Sequence, residues 1–254
     1  MNFNKEFKNK GYIILKNFLS KKKIDNTKNE IKLISTNLLN KYDYKVKNKN
    51  LKDILFIAMK KNLKIRKGLY NLLRYAPTIK QIQSEKKLLN VVKKIGIKFP
   101  LFTDIPSLRI DFSDEEKFLR GPHQDVGNII SKNCCTIWIP ITTVNETNGS
   151  IALYETTHKN KLRKQILVKR NELINNEVSL NHIKKDLRKV LNLEVGDLVI
   201  FDSFIVHESV KSKLKNGLKL SIQFTINDGD QISFKDKYYR LKNKFNEIRT
   251  KQIQ

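Results

Sequence analysis

Residues 196–210 read GDLVIFDSFIVHESV, two short runs of β-branched and aromatic residues on either side of a polar turn. Runs of this composition, bounded by Gly, Asp and Ser, are typical of β-strands. Four further runs of the same kind are SLRIDF at 107–112, CCTIWIPI at 134–141, SIALYE at 150–155 and KLSIQFTI at 219–226. The sequence therefore predicts a β core over residues 101–230.

Turn signals separate these runs and indicate how the strands are connected. Asn148-Gly149, Gly196-Asp197 and Asn216-Gly217 are dipeptides that favour tight turns. We therefore expect antiparallel strands joined by hairpins or longer crossovers. The natural architecture is a jelly roll, or double-stranded β-helix, so the predicted fold class is mainly β with α additions.

The segments outside the β core are predicted to be helical. Apolar residues recur at helical spacing through residues 21–97, with a break at Pro77, and residues 234–252 show the pattern of a final amphipathic helix. A charged, weakly helical insertion is expected from Lys159 to Lys189. Because 254 residues suit one domain, we expect a single domain over residues 1–254 whose helical part spans residues 1–100.

The net charge of +26 raises nucleic acid or an anionic surface as a partner. However, 42 of the 51 basic residues are Lys. Proteins that bind nucleic-acid grooves or phosphates favour Arg, because its planar guanidinium donates two parallel hydrogen bonds. Residues 101–158 hold four basic against eight acidic side chains, so the surplus lies outside the segment with the candidate chemistry. We interpret the charge as a solvated Lys-rich exterior and expect no specific nucleic-acid partner.

The two cysteines and the lengths of the apolar runs indicate in which cellular compartment the protein is expected. Cys134 and Cys135 are adjacent, and the usual Cα separation of a disulfide does not permit a bond between neighbours without strain. No apolar run approaches the length of a membrane span. These patterns predict reduced thiols in a soluble, cytoplasmic protein.

The residues with the clearest chemistry are His123-Gln124-Asp125 and His207, which follows Asp125 by 82 positions. Two imidazoles and one carboxylate on one face form the ligand set that leaves iron(II) three open positions. On a strand, positions i and i+2 point the same way, so His123 and Asp125 can reach one metal while His207 comes from a second strand. The spacing predicts a metal site in a closed β scaffold.

The segments around these residues resemble the phytanoyl-CoA dioxygenase family of iron(II)- and 2-oxoglutarate-dependent oxygenases from end to end. They are GYIILKNFLS, LRIDF, GPHQD, TIWIPI, NGSIAL, GDLVIFDSFIVHESV and KLSIQF, in the order of the family. The resemblance implies that His123, Asp125 and His207 bind iron(II), with 2-oxoglutarate and O₂ as cosubstrates. It further implies hydroxylation of a small metabolite with release of succinate and CO₂. Related halogenases lack the carboxylate ligand, so the presence of Asp125 argues against halogenation.

The resemblance also implies which residues contact 2-oxoglutarate. Lys219 stands where family members usually place an Arg for the distal carboxylate, and Lys lacks the bidentate fork. Ser209 matches a position that hydrogen-bonds the same carboxylate, and Trp138 matches an aromatic that lines the pocket. Arg109 points at either 2-oxoglutarate or an anionic substrate. Gln124 is expected to orient ligands or substrate.

Other interpretations of the same residues stay open at this point. An H-x-D and a distant His can hold zinc in a hydrolase, although no general base stands obviously beside them. A different class is a non-catalytic jelly-roll binding protein with a vestigial metal site and a basic surface. Trp138 is equally compatible with simple core packing.

Overall fold

The computed structural model describes residues 2–125, 127, 129–170 and 173–231, and the helices and strands below are those of this part of the chain. The helices are α1 (Phe3–Lys10), α2 (Lys21–Asn40), α3 (Leu51–Lys60), α4 (Leu63–Leu73), α5 (Pro77–Gln83) and α6 (Lys86–Lys94). The strands are β1 (Tyr12–Leu15), β2 (Pro100–Phe102), β3 (Ser107–Phe112), β4 (Cys134–Pro140), β5 (Ser150–Tyr154), β6 (Gln165–Arg170), β7 (Leu173–Val178), β8 (Arg188–Val190), β9 (Leu198–Asp202), β10 (Val206–Val210) and β11 (Leu218–Asp228).

Two antiparallel sheets form the β core. The larger sheet has the order β1-β9-β4-β11-β2, and β3 also pairs with the long strand β11. The smaller sheet has the order β10-β5-β8. An isolated bridge between His123 and His207 attaches the loop after β3 to the edge of the smaller sheet. The predicted strands of the β core are therefore present, and they pair as two antiparallel layers.

The central strands β4 and β9 of the larger sheet are buried on both faces, for two different reasons. Successive side chains of a strand point to opposite faces. On β4, Ile137 and Ile139 belong to the apolar cluster that includes the helices, with Ile24 and Leu69 among its members. Trp138 points the other way, into the interior between the sheets. The helical layer thus covers one face and leaves the other to line the barrel.

The helices begin where the sequence supplies a cap. The side chains of Asn2, Ser20, Asn50 and Asn62 each accept a hydrogen bond from a backbone N–H in the first turn of the helix that follows. Such caps satisfy donors that have no partner within the helix. Pro77 interrupts the helical pattern as predicted, and it then opens α5 at a first-turn position that tolerates proline.

The described residues of the insertion at 159–189 form mainly β-structure, with short 3-10 turns at Thr157–Asn160 and Lys185–Leu187, so the prediction of a weakly helical insertion was wrong. The insertion contains a hairpin in which β6 pairs with β7 from Gln165↔Val178 to Arg170↔Leu173. The hairpin packs on the loop that carries His123: the Val178 N–H donates to the Pro122 carbonyl at 2.7 Å. A Cβ on Gly121 would lie 2.5 Å from the Glu177 carboxylate, so a larger residue at this position would displace the Glu177 side chain. Tertiary pairing here outweighs the weak local helix preference.

Two further predictions concern the ends of the chain and the membrane. The final helix predicted at 234–252 lies outside the described residues. Within the described part, no helix is long and apolar enough to cross a membrane. The single-domain organisation stays a prediction, although the helical part and the larger sheet share one apolar cluster.

Candidate active site

His123 and His207 face each other across a two-way backbone bridge. The His123 N–H donates to the His207 carbonyl at 2.9 Å, and the His207 N–H donates to the His123 carbonyl at 3.0 Å. His207 lies on β10 as predicted, whereas Gln124 and Asp125 lie in the loop beyond the bridge, outside any strand. The loop, and not strand alternation, therefore brings Asp125 to the two imidazoles.

The three predicted metal ligands come together. His123 Nε2 lies 3.6 Å from Asp125 Oδ1, and His207 Nε2 lies 3.4 Å from Asp125 Oδ2. One ligand atom from each residue can be chosen so that all lie within 4.8 Å of one another. The His side chains are each 4% exposed and Asp125 is 9% exposed. The arrangement is compact enough for one ion.

Backbone carbonyls select the tautomer of both imidazoles. His123 Nδ1 lies 2.8 Å from the Gly121 carbonyl, and His207 Nδ1 lies 3.1 Å from the Ile205 carbonyl. A carbonyl only accepts, so each Nδ1 donates to its carbonyl and Nε2 is the ring nitrogen that is directed towards Asp125. Burial, then the neighbouring His207 and Arg120, lower the pKa of His123 well below its ordinary value. The lowered pKa favours the neutral form of the His123 imidazole, which is the form that binds a metal.

Asp125 is held as an ionised carboxylate by side chains that sequence reasoning did not identify. Gln223 Nε2 donates to its Oδ2 at 2.8 Å, Thr136 Oγ1 donates to the same oxygen at 3.4 Å, and Arg120 Nη1 lies 3.7 Å from Oδ1. Burial alone raises the pKa of Asp125, but His207, His123 and Arg120 outweigh it and hold the pKa far below its ordinary range. This donor set fits a divalent first-row metal such as iron(II).

A small cavity of about 30 Å³, open to solvent, begins at the two imidazoles. The register of the strands explains which residues line the cavity. Alternate residues of β11 point into the cavity, next to inward-pointing residues of the paired strands β3 and β4. The lining residues are Arg109, Arg120, His123, Trp138, Ile151, His207, Glu208, Ser209, Lys219, Ser221 and Gln223. Six residues of the predicted site are thus in one cavity: His123, His207, Arg109, Trp138, Ser209 and Lys219.

The side chains of Arg109 and Lys219 share one carboxylate. Nη2 of Arg109 donates to Asp111 Oδ1 at 2.9 Å, and Lys219 Nζ lies 3.2 Å from Asp111 Oδ2. Burial raises the pKa of Asp111, but Arg109 and Lys219 outweigh it and lower the pKa below its ordinary value. Asp111 is not among the site residues predicted from the sequence. Its alternation with Arg109 on β3 was the signal that could have found it.

Gln124 does not line the cavity. It is buried, its Nε2 donates to the carbonyls of Lys161 and Phe204, and its Oε1 accepts from the Arg163 N–H at 2.9 Å. These bonds tie the His123–Asp125 loop to the segment that leads into β6. The structure therefore places Gln124 behind the ligands, where it can orient them but cannot reach a molecule in the cavity.

Ser209 and Trp138 line the cavity in different ways. Ser209 Oγ accepts from the Arg120 N–H at 3.2 Å, and the Ser209 N–H donates to the Arg120 carbonyl at 2.9 Å. These two bonds hold Arg120 beside the ligands. Trp138 is 2% exposed and packs with Val199 and Phe201 in the apolar core. Because it also lines the cavity, Trp138 belongs to both the core and the cavity wall.

The sequence profile of the family described as phytanoyl-CoA dioxygenase (PhyH) matches residues 7–213, most of the chain. The chain belongs to the phytanoyl-CoA dioxygenase family. This family consists of non-heme iron- and 2-oxoglutarate-dependent enzymes, which confirms the predicted enzyme class. No curated protein sequence shows a significant match to the chain.

Solved structures confirm the jelly-roll fold predicted for this member of the phytanoyl-CoA dioxygenase family. The non-heme monooxygenase ThoJ in its apo form has a TM-score of 0.63 at 12% identity, covering 89% of this chain and 77% of its own. The epimerase SnoN, in complex with Fe³⁺, α-ketoglutarate and nogalamycin RO, has a TM-score of 0.60 at 12% identity over 93% and 87%. HygX from Streptomyces hygroscopicus, with nickel and 2-oxoglutarate bound, has a TM-score of 0.54 at 12% identity over 89% and 85%. At these identities the likeness concerns the fold.

Proposed function

We propose that the protein hydroxylates a small metabolite, using iron(II) held by His123, Asp125 and His207 and consuming 2-oxoglutarate and O₂. The observation that carries the proposal is the direction of the three ligand groups. The Nε2 atoms of both imidazoles and the Asp125 carboxylate face one point, and a backbone carbonyl accepts from Nδ1 of each ring, which leaves Nε2 for the metal. When bound, iron(II) with 2-oxoglutarate supplies O₂ activation, which ordinary side chains cannot provide.

The cavity offers an anion site at a distance from the ligands. Lys219 is 6% exposed, and Arg109 and Lys219 each form an ion pair with Asp111. This end of the cavity therefore carries two cations and one anion. A net charge of +1 in a buried site favours one carboxylate. We assign the distal carboxylate of 2-oxoglutarate to Lys219 and Arg109. In this assignment Arg109 binds the cosubstrate and not an anionic substrate.

The substrate would enter from the side of Arg120. The Arg120 side chain is 35% exposed, lines the cavity and lies beside Asp125. It therefore extends from the solvent-exposed opening of the cavity to the candidate metal centre. A guanidinium at this position favours a substrate with a carboxylate or phosphate group. The role of Arg120 is testable separately from that of the ligands, because Arg120→Met keeps the bulk of the side chain and removes its charge.

The proposal is tested first by metal binding and then by succinate formation. Purified wild-type protein, His123→Ala and His207→Ala are titrated with iron(II) without O₂ and then assayed for succinate from 2-oxoglutarate with ascorbate and O₂. His182→Ala is the matched control, because His182 is exposed, follows the β6–β7 hairpin and is not among the candidate metal ligands. We expect both ligand variants to lose iron and succinate while His182→Ala keeps both.

Two results would contradict the proposal. Wild-type iron stoichiometry in both ligand variants would show that the metal binds elsewhere. A wild-type protein that binds neither iron nor 2-oxoglutarate, and that instead binds polyanions with strong salt dependence, would favour the non-catalytic binding protein with a basic surface.

A further inference from the structure

Phe99 and Leu101 form an apolar patch beside the point where the described part of the chain ends. Phe99 is 63% exposed, and Leu101 is half-buried. A Cβ on Gly229 would clash with Phe99 and would lie 3.0 Å from Leu101 Cδ1, so both side chains lie against Gly229. The described residues end at Gln231, two positions further on. The next segment of the chain therefore starts beside the patch.

The patch lies on the same face of the larger sheet as the cavity. Leu101 is paired with Asn227 on β11, and paired residues point to the same face. Asn227 shares its face with Lys219 and Gln223, which line the cavity, because even numbers of residues separate them. Asn227 follows Gln223 by four positions, so the patch lies about 14 Å beyond Gln223 along the strand.

The loop that follows Asp125 borders the patch. The N–H groups of Ile130 and Ser131 donate to Asn227 Oδ1 at 3.0 Å and 3.1 Å. Because Asn227 is the partner of Leu101, the half-buried Ile130 adds a third apolar residue next to the patch. A segment that covers the patch would therefore also lie against the loop that carries a candidate metal ligand.

The sequence after Gln231 has an apolar stripe that suits such a surface. Residues 232–254 lie outside the described part of the structure. Five large apolar residues of this segment recur with spacings of four, three, four and three: Phe234, Tyr238, Leu241, Phe245 and Ile248. On a helix this spacing places all five on one side, along about 21 Å. An isolated helix of this length is marginal in water, so the stripe needs an apolar partner surface.

The charge of the segment favours the same part of the protein. Residues 232–254 hold seven basic and two acidic side chains, and most of this Lys-rich protein would repel them. Residues 101–158, which include Leu101 and the loop after Asp125, hold eight acidic and four basic side chains. The segment is therefore attracted to the part of the chain that surrounds the patch.

We propose that residues 234–248 dock as an amphipathic helix on the patch of Phe99 and Leu101, with the apolar stripe against the sheet face. Two residues separate the stripe from Gln231, so the stripe starts within reach of the patch. The docked helix borders the mouth of the cavity, next to the loop after Asp125. This inference does not depend on the proposed function, because it concerns contacts within the chain itself.

The test is hydrogen exchange of the full-length protein, measured by mass spectrometry on peptides from residues 234–248. We expect slow exchange in the wild type and exchange about tenfold faster in the double variant Phe99→Ser, Leu101→Ser, because the segment loses its apolar partner. Leu63→Ser is the matched control, since Leu63 is 64% exposed and lies at the start of α4 in the helical layer. The control should leave the exchange of the segment unchanged.

A reciprocal variant tests the same contact without altering the sheet. Phe245→Ser removes one residue of the stripe, and Asn243→Ser changes a polar residue outside it. We expect faster exchange of the segment in Phe245→Ser alone. Peptides from β4 and β9 should exchange as slowly in every variant as in the wild type, which shows that the β core stays folded.

Four outcomes overturn the inference. Rapid exchange of residues 234–248 in the wild type shows that the segment is not docked. Slow exchange that persists in the double variant shows that it docks elsewhere. Equal acceleration in Leu63→Ser shows general destabilisation. Slow exchange that is lost on dilution, together with the mass of a dimer, shows that the stripe pairs with a second copy of the chain.

Discussion

Lys219 on β11 lies directly opposite Asp111 on β3, with Nζ 3.2 Å from Oδ2. Burial lowers the pKa of Lys219, and Asp111 opposes this effect from a distance at which charges interact strongly. Arg109 holds the other oxygen of the same carboxylate. Asp111 therefore fixes both cations at one end of the cavity and leaves that end with a single net positive charge.

Lys219→Met should weaken 2-oxoglutarate binding by about 10- to 100-fold, because it removes a charge-assisted hydrogen bond in a buried site. Metal affinity should be unchanged, since Lys219 lies at the end of the cavity away from Asp125. Titrations of metal and of 2-oxoglutarate measure the two effects separately. Lys211→Met is the control, because the Lys211 ammonium is exposed and paired with Glu116. Equal losses of both affinities would show that Lys219 is structural.

Gln223→Leu should lower the metal affinity by about tenfold, because Gln223 Nε2 orients Asp125 through a 2.8 Å hydrogen bond. The affinity is measured by competition with a chelator. Gln83→Leu is the control, because this buried glutamine in α5 donates its Nε2 hydrogen bond to the Asp104 carbonyl and not to Asp125. If both variants lose the same affinity, the effect comes from general destabilisation and not from the orientation of Asp125.

Trp138 should report ligand binding by its fluorescence. It is the only tryptophan of the chain, it is 2% exposed, and it lines the same cavity as His123 and His207. Adding nickel(II) and then 2-oxoglutarate should change its emission in two saturable steps, and His123→Ala should lose the first. Emission that stays constant while calorimetry detects binding would place the ligands outside this cavity.

Asp202 should make the protein less stable as the pH rises. Burial raises its pKa to about 6, although the Phe204 N–H and Lys161 act in the opposite direction. An unfolded Asp has a pKa of about 3.9, so between these values the folded state binds the proton more tightly. The contribution of Asp202 to the free energy of unfolding therefore falls as the pH rises from about 4 to about 6.

Asp202→Asn removes this titration and keeps an oxygen that can accept from the Phe204 N–H, which donates to Asp202 Oδ1 at 2.8 Å. Relative to the wild type, the variant should gain stability from about pH 4 to about pH 7. Urea unfolding of both proteins across this range measures the difference. Asp186→Asn, at an exposed position, is the control. A difference that does not vary with pH would contradict the raised pKa.

Local patterns in the sequence were sufficient for the β core and for most of the candidate site. The alternation in KLSIQFTI places Lys219, Ser221 and Gln223 on one face, and the H-x-D motif with His207 predicts the three candidate metal ligands that the structure brings together. The same reasoning failed for residues 165–178, whose local pattern is weak and whose strands form by pairing with each other and packing on Pro122.

By itself, then, the sequence determined which residues point into the barrel and which chemistry they can perform, because side-chain alternation and residue type are local properties. Only the tertiary structure decided which of them meet. The His123–His207 bridge, the Asp111–Lys219 pair and the bond from Gln223 to Asp125 join residues that are 84, 108 and 98 positions apart. Such contacts depend on strand register and loop path, which no local pattern encodes.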